Sequence, residues 1–198
     1  MTTVKQISAF FRFFNLLLLA TVVIQCSKNS VQEEFLFEKL PPSITGVTFE
    51  NMLTPSEEFN MYIFRNFYNG GGVAIGDLNG DGLPDIFLTG NQVSNRLYLN
   101  RGNYEFKDIT EQAGLRSDGV WTTGVSMADV NGDGLLDIYI TKSGPPGGAK
   151  RHNELFINNG DLTFTDRAEE YGLAEVGLST HALFFDYDGD GDLDMYLL

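Results

Sequence analysis

An acidic nonapeptide recurs three times in this chain and constrains its fold more than any other feature. DLNGDGLPD begins at Asp77, DVNGDGLLD at Asp129 and DYDGDGDLD at Asp186, so successive copies start 52 and 57 residues apart. A short apolar run precedes each copy: GVAIG from Gly72, GVSMA from Gly124 and HALFF from His181. A β-rich run follows each: IFLTG, IYITK and MYLL. Such runs on both sides of a Gly/Asn/Asp cluster are the pattern of antiparallel strands joined by a turn. The similarity extends further, because NRLYLNRGNYEFKDITEQAGL (Asn95 to Leu115) aligns without a gap on NELFINNGDLTFTDRAEEYGL (Asn153 to Leu173). The extra length of the second repeat falls in SGPPGGAK, Ser143 to Lys150, whose glycines and prolines predict a lengthened surface hairpin loop.

Each repeat therefore holds about four short strands. In the first they are predicted near residues 73–75, 86–89, 97–100 and 106–109, with one helical turn at Thr110–Ala113. Four strands in roughly 50 residues, repeated head to tail, are the sequence sign of a β-propeller blade; an open β-solenoid or a sandwich array is the alternative. The expected fold is all-β, an incomplete β-propeller of four-stranded blades at about 69–117, 118–175 and a truncated 176–198. A propeller needs at least about four blades to close. The sequence therefore reads as a piece of a longer protein, in preference to a short protein assembling blades between chains, which would leave apolar strand edges open. In the lead-in segment, 41–68, GVTFENML resembles the outer strand of the later repeats. Residues 47–50 are expected to form a strand that completes the last blade.

The acidic loops carry the clearest chemistry. In the first, Asp77, Asn79, Asp81 and Asp85 occupy positions 1, 3, 5 and 9, and Leu83 at position 7 offers its backbone carbonyl. Alternate residues of a tight turn point inward together, and Gly82 at position 6 gives the backbone freedom to turn. The second loop supplies Asp129, Asn131, Asp133, Leu135 and Asp137, and the third Asp186, Asp188, Asp190, Asp192 and Asp194. Every donor is a hard oxygen, which selects Ca²⁺ or Mg²⁺ over zinc or copper, and a flexible multi-carboxylate loop favours Ca²⁺. Up to three structural calcium ions are expected, each relieving the repulsion of crowded carboxylates. The affinity expected is that of extracellular modules, on the order of 10⁻⁴ to 10⁻³ M. The loops are not EF-hands, since position 12 is Leu88, Ile140 or Leu197 within a β-rich run, where an EF-hand has glutamate.

The thrice-repeated loop between two strands resembles the calcium-binding blades of FG-GAP/VCBS-type repeat proteins, over about residues 69–198. The Phe-Gly and Gly-Ala-Pro signature of that family is replaced here by NGGGVAIGD, TTGVSMAD and THALFFD. The likeness is therefore closer to the bacterial branch, some of whose members carry an additional C-terminal domain. It implies a propeller with calcium in its loops and a binding function.

The N-terminus reads as a targeting segment. Lys5 and Arg12 are the only charges before an apolar run from Phe13 to Ile24, too short for a hydrocarbon core. The single cysteine of the chain, Cys26, follows directly. The arrangement resembles a bacterial lipoprotein signal, with residues 1–25 removed, Cys26 lipidated and 26–40 a polar tether. Gln25 stands where a small residue is usual, and the alternative is an ordinary signal peptide. Export to the outer membrane or cell surface is expected, with membrane contact only through the lipid. A formal charge of −14 excludes nucleic acid as a partner.

No nucleophile elbow, zinc-protease motif, P-loop or dinucleotide fingerprint is present, so no catalysis is expected. The Gly70–Gly72 run reads as a close-packed inner turn. His181, with Trp121, Thr122 and Thr123 one repeat earlier, falls where a propeller's axial face binds ligands; the favoured reading makes His181 a polar rim residue and Trp121 a packed anchor. His152 is expected to be solvated. The recurring Tyr98 with Phe156, and Phe106 with Phe164, read as blade-to-blade core. The function expected is a calcium-binding surface module for a protein or glycan partner. A propeller attached to a polysaccharide-degrading enzyme and a structural spacer are the other readings.

Overall fold

The computed structural model describes residues 36–117, 119–144 and 151–198. The signal segment, Cys26, most of the tether and the tip of the Ser143 to Lys150 loop lie outside the described residues. The chain divides into two units, Met1–Lys39 and Leu40–Leu198, and every described strand lies in the second.

The repeats form three antiparallel sheets. The first has strands β1 (Val73–Gly76), β2 (Asp85–Leu88), β3 (Arg96–Asn100) and β4 (Phe106–Asp108), in that order. The second has β5 (Thr122–Ala128), β6 (Asp137–Lys142), β7 (Glu154–Asn158) and β8 (Phe164–Asp166) in the same order. The third pairs β9 (Ala182–Phe185) with β10 (Asp194–Leu197). These are the meandering blades expected of an incomplete propeller, and each acidic loop joins the first two strands of its blade. Register is equivalent throughout: Gly76 faces Asp85, Ala128 faces Asp137 and Phe185 faces Asp194. A short helical turn closes the first repeat at Thr110–Ala113, as expected, and Gly114 ends it at φ 76°.

The burial of equivalent strands follows their position in the stack. β2 alternates buried and half-buried residues, whereas β6 is buried along its whole length. The middle blade has a neighbour on each side, so both faces of its central strand leave water. Phe87, Leu97 and Leu99 of the first blade pack with Val125, Ile138 and Ile140 of the second. Tyr139, Leu155 and Ile157, on the opposite face, pack with Ala182 and with Phe184, Met195 and Leu197 of the third.

Close backbone approach joins the inner strands. A Cβ on Gly72 would lie 2.9 Å from Val125 N, and one on Gly124 would lie 2.4 Å from the Thr180 carbonyl. Only glycine fits at these two equivalent positions. Threonine hydroxyls stitch the same seam: Thr89 Oγ1 donates to the Thr123 carbonyl at 2.6 Å, and Thr123 Oγ1 to the Ser179 carbonyl at 2.7 Å.

The lead-in segment differs from expectation. Residues 47–50 form no strand. A helical turn, Pro42–Thr45, is followed by chain that docks on the first blade. Thr48 N donates to Tyr98 Oη at 3.2 Å, Asn51 and Asn91 exchange two hydrogen bonds, and Thr54 and Gln92 exchange two more. Tyr98 is fully buried. Because side chains alternate along β3, it stands on the face opposite Leu97 and Leu99. Tyr98 thus packs under the lead-in, while its counterpart Phe156 packs between blades as expected. Further along, Phe59, Phe64 and Phe67 surround Trp121 with ring centroids 5.0 to 5.4 Å from the indole. Trp121 is therefore the packed anchor expected of it, and its partners come from the lead-in.

Candidate metal centre

Each acidic loop is shaped by its own carboxylates. Asp77 accepts at Oδ1 from Gly80 N (2.8 Å) and Asp81 N (3.2 Å), and at Oδ2 from Gly82 N (2.7 Å). Asn79 Oδ1 accepts from Asp81 N at 3.1 Å, and Asp81 Oδ1 from Leu83 N at 2.8 Å. The second loop repeats this set around Asp129, Asn131 and Asp133, at 2.8, 3.1, 2.8, 3.0 and 2.8 Å in the same order. Such side-chain to main-chain bonds are what Asp and Asn make in tight turns. They require left-handed backbone at Gly80 and Gly82 (φ 73° and 81°), and again at Gly132 and Gly134 (φ 75° and 88°). The backbone N–H of Gly82, foremost among several, holds the Asp77 carboxyl below the usual carboxylate range.

Positions 1, 3 and 5 are therefore linked at the turn in the first two loops. Among the described residues, three carboxylates of one loop draw within 4.8 Å of one another only in the third, where they are Asp186, Asp188 and Asp194. The donor set suits a hard divalent cation. Its donors are oxygens only, Asp77 Oδ2 and Asp81 Oδ1 each accept a single main-chain bond and retain acceptor capacity, and the turn lies at the surface. An Asn amide bridges to position 5 in the first two loops, Asn79 Nδ2 to Asp81 Oδ2 at 3.0 Å and Asn131 Nδ2 to Asp133 Oδ2 at 2.9 Å. The third loop has Asp188 in that place. There Asp186, Asp188 and Asp194 each bring a carboxylate oxygen within 4.8 Å of the others'. The charge crowding is greatest in this loop. Asp192 is pushed up by its hydrogen bond and like charge with Asp190, whose own carboxyl is held down by the Asp192 N–H.

The ninth position has a second role that spacing did not separate from ligation. Asp85 and Asp137 are buried. Asp85 Oδ2 accepts from Leu78 N at 3.0 Å, and Oδ1 accepts from Asn100 N at 2.8 Å on β3. Asp137 accepts likewise from Val130 N (3.0 Å) and Asn158 N (2.9 Å). Each carboxylate clamps the start of its loop to the third strand of its blade. Burial is the main influence on both groups and pushes them above the usual carboxylate range, against the pull of these N–H donors. Asp194 keeps only the first half of the clamp, from Tyr187 N at 2.9 Å, and is exposed. Asn100 and Asn158 complete the clamp by donating to the carbonyls of Pro84 and Leu136, and Asn158 also reaches the Leu78 carbonyl of the preceding loop at 2.8 Å.

His152, expected to be solvated, is half-buried and bridged to Val176. It lies with Glu154 and Asp166, ligand atoms within 4.8 Å of one another. Glu154 is held by the buried Lys142 Nζ at 2.5 Å, so the group is balanced by an internal cation. The first repeat has Arg96 paired with Asp108 at 3.3 Å in the equivalent place. Sequence reading missed this, although the exchange of Gly90 for Lys142 and of Arg96 for Glu154 was visible in the aligned repeats. Thr122 and Thr123 are spent on structural bonds, to Gly90 O, Asn95 Oδ1 and Thr141 O among others.

The FG-GAP-like repeat family model matches residues 77–140 and 144–197, and all three acidic loops fall inside the matches. Cartilage acidic protein 1 of Xenopus tropicalis is 31% identical over 136 residues, which are 66% of this chain and 20% of that protein. Its human counterpart is 30% identical over 134 residues, 65% of this chain and 19% of that protein. The chain thus spans about a fifth of the length of these curated relatives.

Proposed function

The chain belongs to the FG-GAP-like repeat family, and we propose that it is a calcium-held binding module exported to the cell surface. The observation that carries the calcium reading is the near-identity of the first two loops, whose five main-chain bonds to positions 1, 3 and 5 agree within about 0.1 Å. A turn rebuilt this closely in separate repeats, with oxygen donors only, suits one hard cation per loop. Asp77, Asn79 and Asp81, with the Leu83 carbonyl, would hold it in the first; Asp129, Asn131, Asp133 and the Leu135 carbonyl in the second. In the third, Asp186, Asp188, Asp190 and Asp194 would do so, with the Asp192 carbonyl. The ion would supply charge neutralisation and fix the turn between two strands, which is a stabilising and not a catalytic role. The position-9 residues Asp85 and Asp137 serve first as clamps in this reading. The partner is a protein or glycan, and the tested consequence is calcium dependence: binding of the whole chain to an array of extracellular glycans and proteins is expected in calcium and lost in chelator. Equal binding in both buffers contradicts the module's dependence on the ion.

The anchoring part of the proposal rests on Cys26, the single cysteine, placed directly after the apolar run. This placement is the basis for assigning the chain to a bacterial surface. Cys26→Ser is expected to abolish palmitate labelling in cells and to move the chain to the soluble fraction. Unchanged membrane attachment counts against the anchor.

A further inference from the structure

Building on the binding-module reading, we infer that a recess at the head of the inner strands takes a single neutral sugar unit. The recess has a volume of about 270 Å³, and its polar side chains include Asn66 and Asn69 of the lead-in, Ser143 after β6 and His181 before β9. Trp121 forms part of the wall, and Gly70 to Gly72 contribute bare backbone. Ser143 is 3% exposed, and its Oγ has no hydrogen-bond partner. A buried hydroxyl left unpaired is destabilising, so a ligand hydroxyl that reaches it recovers that loss. The amides of Asn66 and Asn69 and the imidazole of His181 make no hydrogen bond to another described residue.

The chemistry of this lining selects the ligand. Among the described residues no Asp, Glu, Lys or Arg lines the recess, so none of them compensates an ionic ligand, and the chain's charge of −14 disfavours anions further. Amide, hydroxyl and imidazole groups offer donors and acceptors together, which is what sugar hydroxyls need. Phe59, Phe64 and Phe67 pack around the indole, which is 6% exposed, so Trp121 gives the recess a rigid border. The volume lies just below the range of drug-sized ligand pockets, roughly 300–1,000 Å³, and suits one ring. A peptide strand is disfavoured, because main-chain groups along this rim are already used: Thr89 N donates to the Gly72 carbonyl, and Gly124 N to Thr141 Oγ1.

Trp121 is the chain's single tryptophan and reports directly on the recess. The whole chain in calcium is titrated with methyl glycosides of glucose, galactose, mannose and N-acetylglucosamine, with Trp121 emission and saturation-transfer NMR as readouts. A saturable response to at least one glycoside is expected. The exposed pair Asn66→Ala and Asn69→Ala should weaken it at least tenfold with the melting temperature unchanged, and Ser143→Ala should weaken it independently. No response to any glycoside overturns the inference, and so does binding that the double variant leaves unchanged. The glycan and protein array separates this failure from that of the wider reading. Array binding that survives in the double variant overturns the recess while the binding module stands; an array silent in calcium overturns both. Binding to peptide spots alone, lost in the double variant, overturns the sugar and gives the recess to peptides.

Discussion

Replacing Asp137 by alanine is expected to lower the melting temperature by a similar, large amount in calcium and in chelator. The side chain is buried, and each of its oxygens accepts a main-chain N–H, one from Val130 in the loop and one from Asn158 on β7. Alanine leaves both donors without partners. Hydrogen bonds to a charged acceptor are worth about 1.5–3 kcal/mol each, so a loss of roughly 3 kcal/mol or more, about 10 °C for a chain of this size, is expected. Asp137→Asn keeps the shape and one acceptor oxygen but sets an NH₂ against the other N–H, and should recover only part of the loss. The check is thermal melting by circular dichroism in both buffers. A loss confined to calcium would mean that Asp137 acts as a ligand and not as a clamp.

The double change Asp129→Ala with Asp133→Ala is expected to behave in the opposite way. These side chains lie at the surface, and their bonds to Gly132, Gly134 and Leu135 compete with water. Removing them in chelator should change the melting temperature little. In calcium the variant loses the ion's contribution, which for one site at 100 times its Kd is about 2.7 kcal/mol. Calcium should therefore raise the wild type's melting temperature more than the variant's. Equal losses in both buffers would refute the metal role of these positions. Taken with Asp137→Ala, the pair separates residues that hold an ion from residues that hold the loop to the sheet.

Much of the fold was legible because each blade repeats its own grammar. The run IFLTG and the loop before it predicted a strand near 86–89, and β2 spans Asp85–Leu88. The helical turn fell on Thr110–Ala113 as read. The Gly70–Gly72 run was read as a close-packed turn; a Cβ on Gly71 would lie 2.1 Å from the Thr89 carbonyl. Local pattern carries such features, since strand alternation and turn chemistry are written within a few residues.

What was not legible depends on contacts distant in sequence. The lead-in has no second copy to compare, so its docking by Asn51 on Asn91 and Thr54 on Gln92 left no periodic signal. Phe59, Phe64 and Phe67 gave no strand alternation and find their partner in Trp121, more than fifty residues away. At the loops, spacing marked the turn residues but treated position 9 of the first two loops like positions 1 and 5. The distinction lies in burial and in the N–H of Asn100 or Asn158 on the third strand, neither of which the nonapeptide contains. A signal was present one element away, since both aligned repeats place an asparagine at that site, followed by a glycine turn.

The most direct test of the central claim is calorimetric titration of the whole chain with calcium, on a sample shown to be folded. The account predicts saturable binding of two or three ions with dissociation constants on the order of 10⁻⁴ to 10⁻³ M, and one fewer ion when Asp129 and Asp133 are both alanine. A folded chain that takes up no calcium would contradict it, and the three loops would then be acidic turns held by their own main-chain bonds.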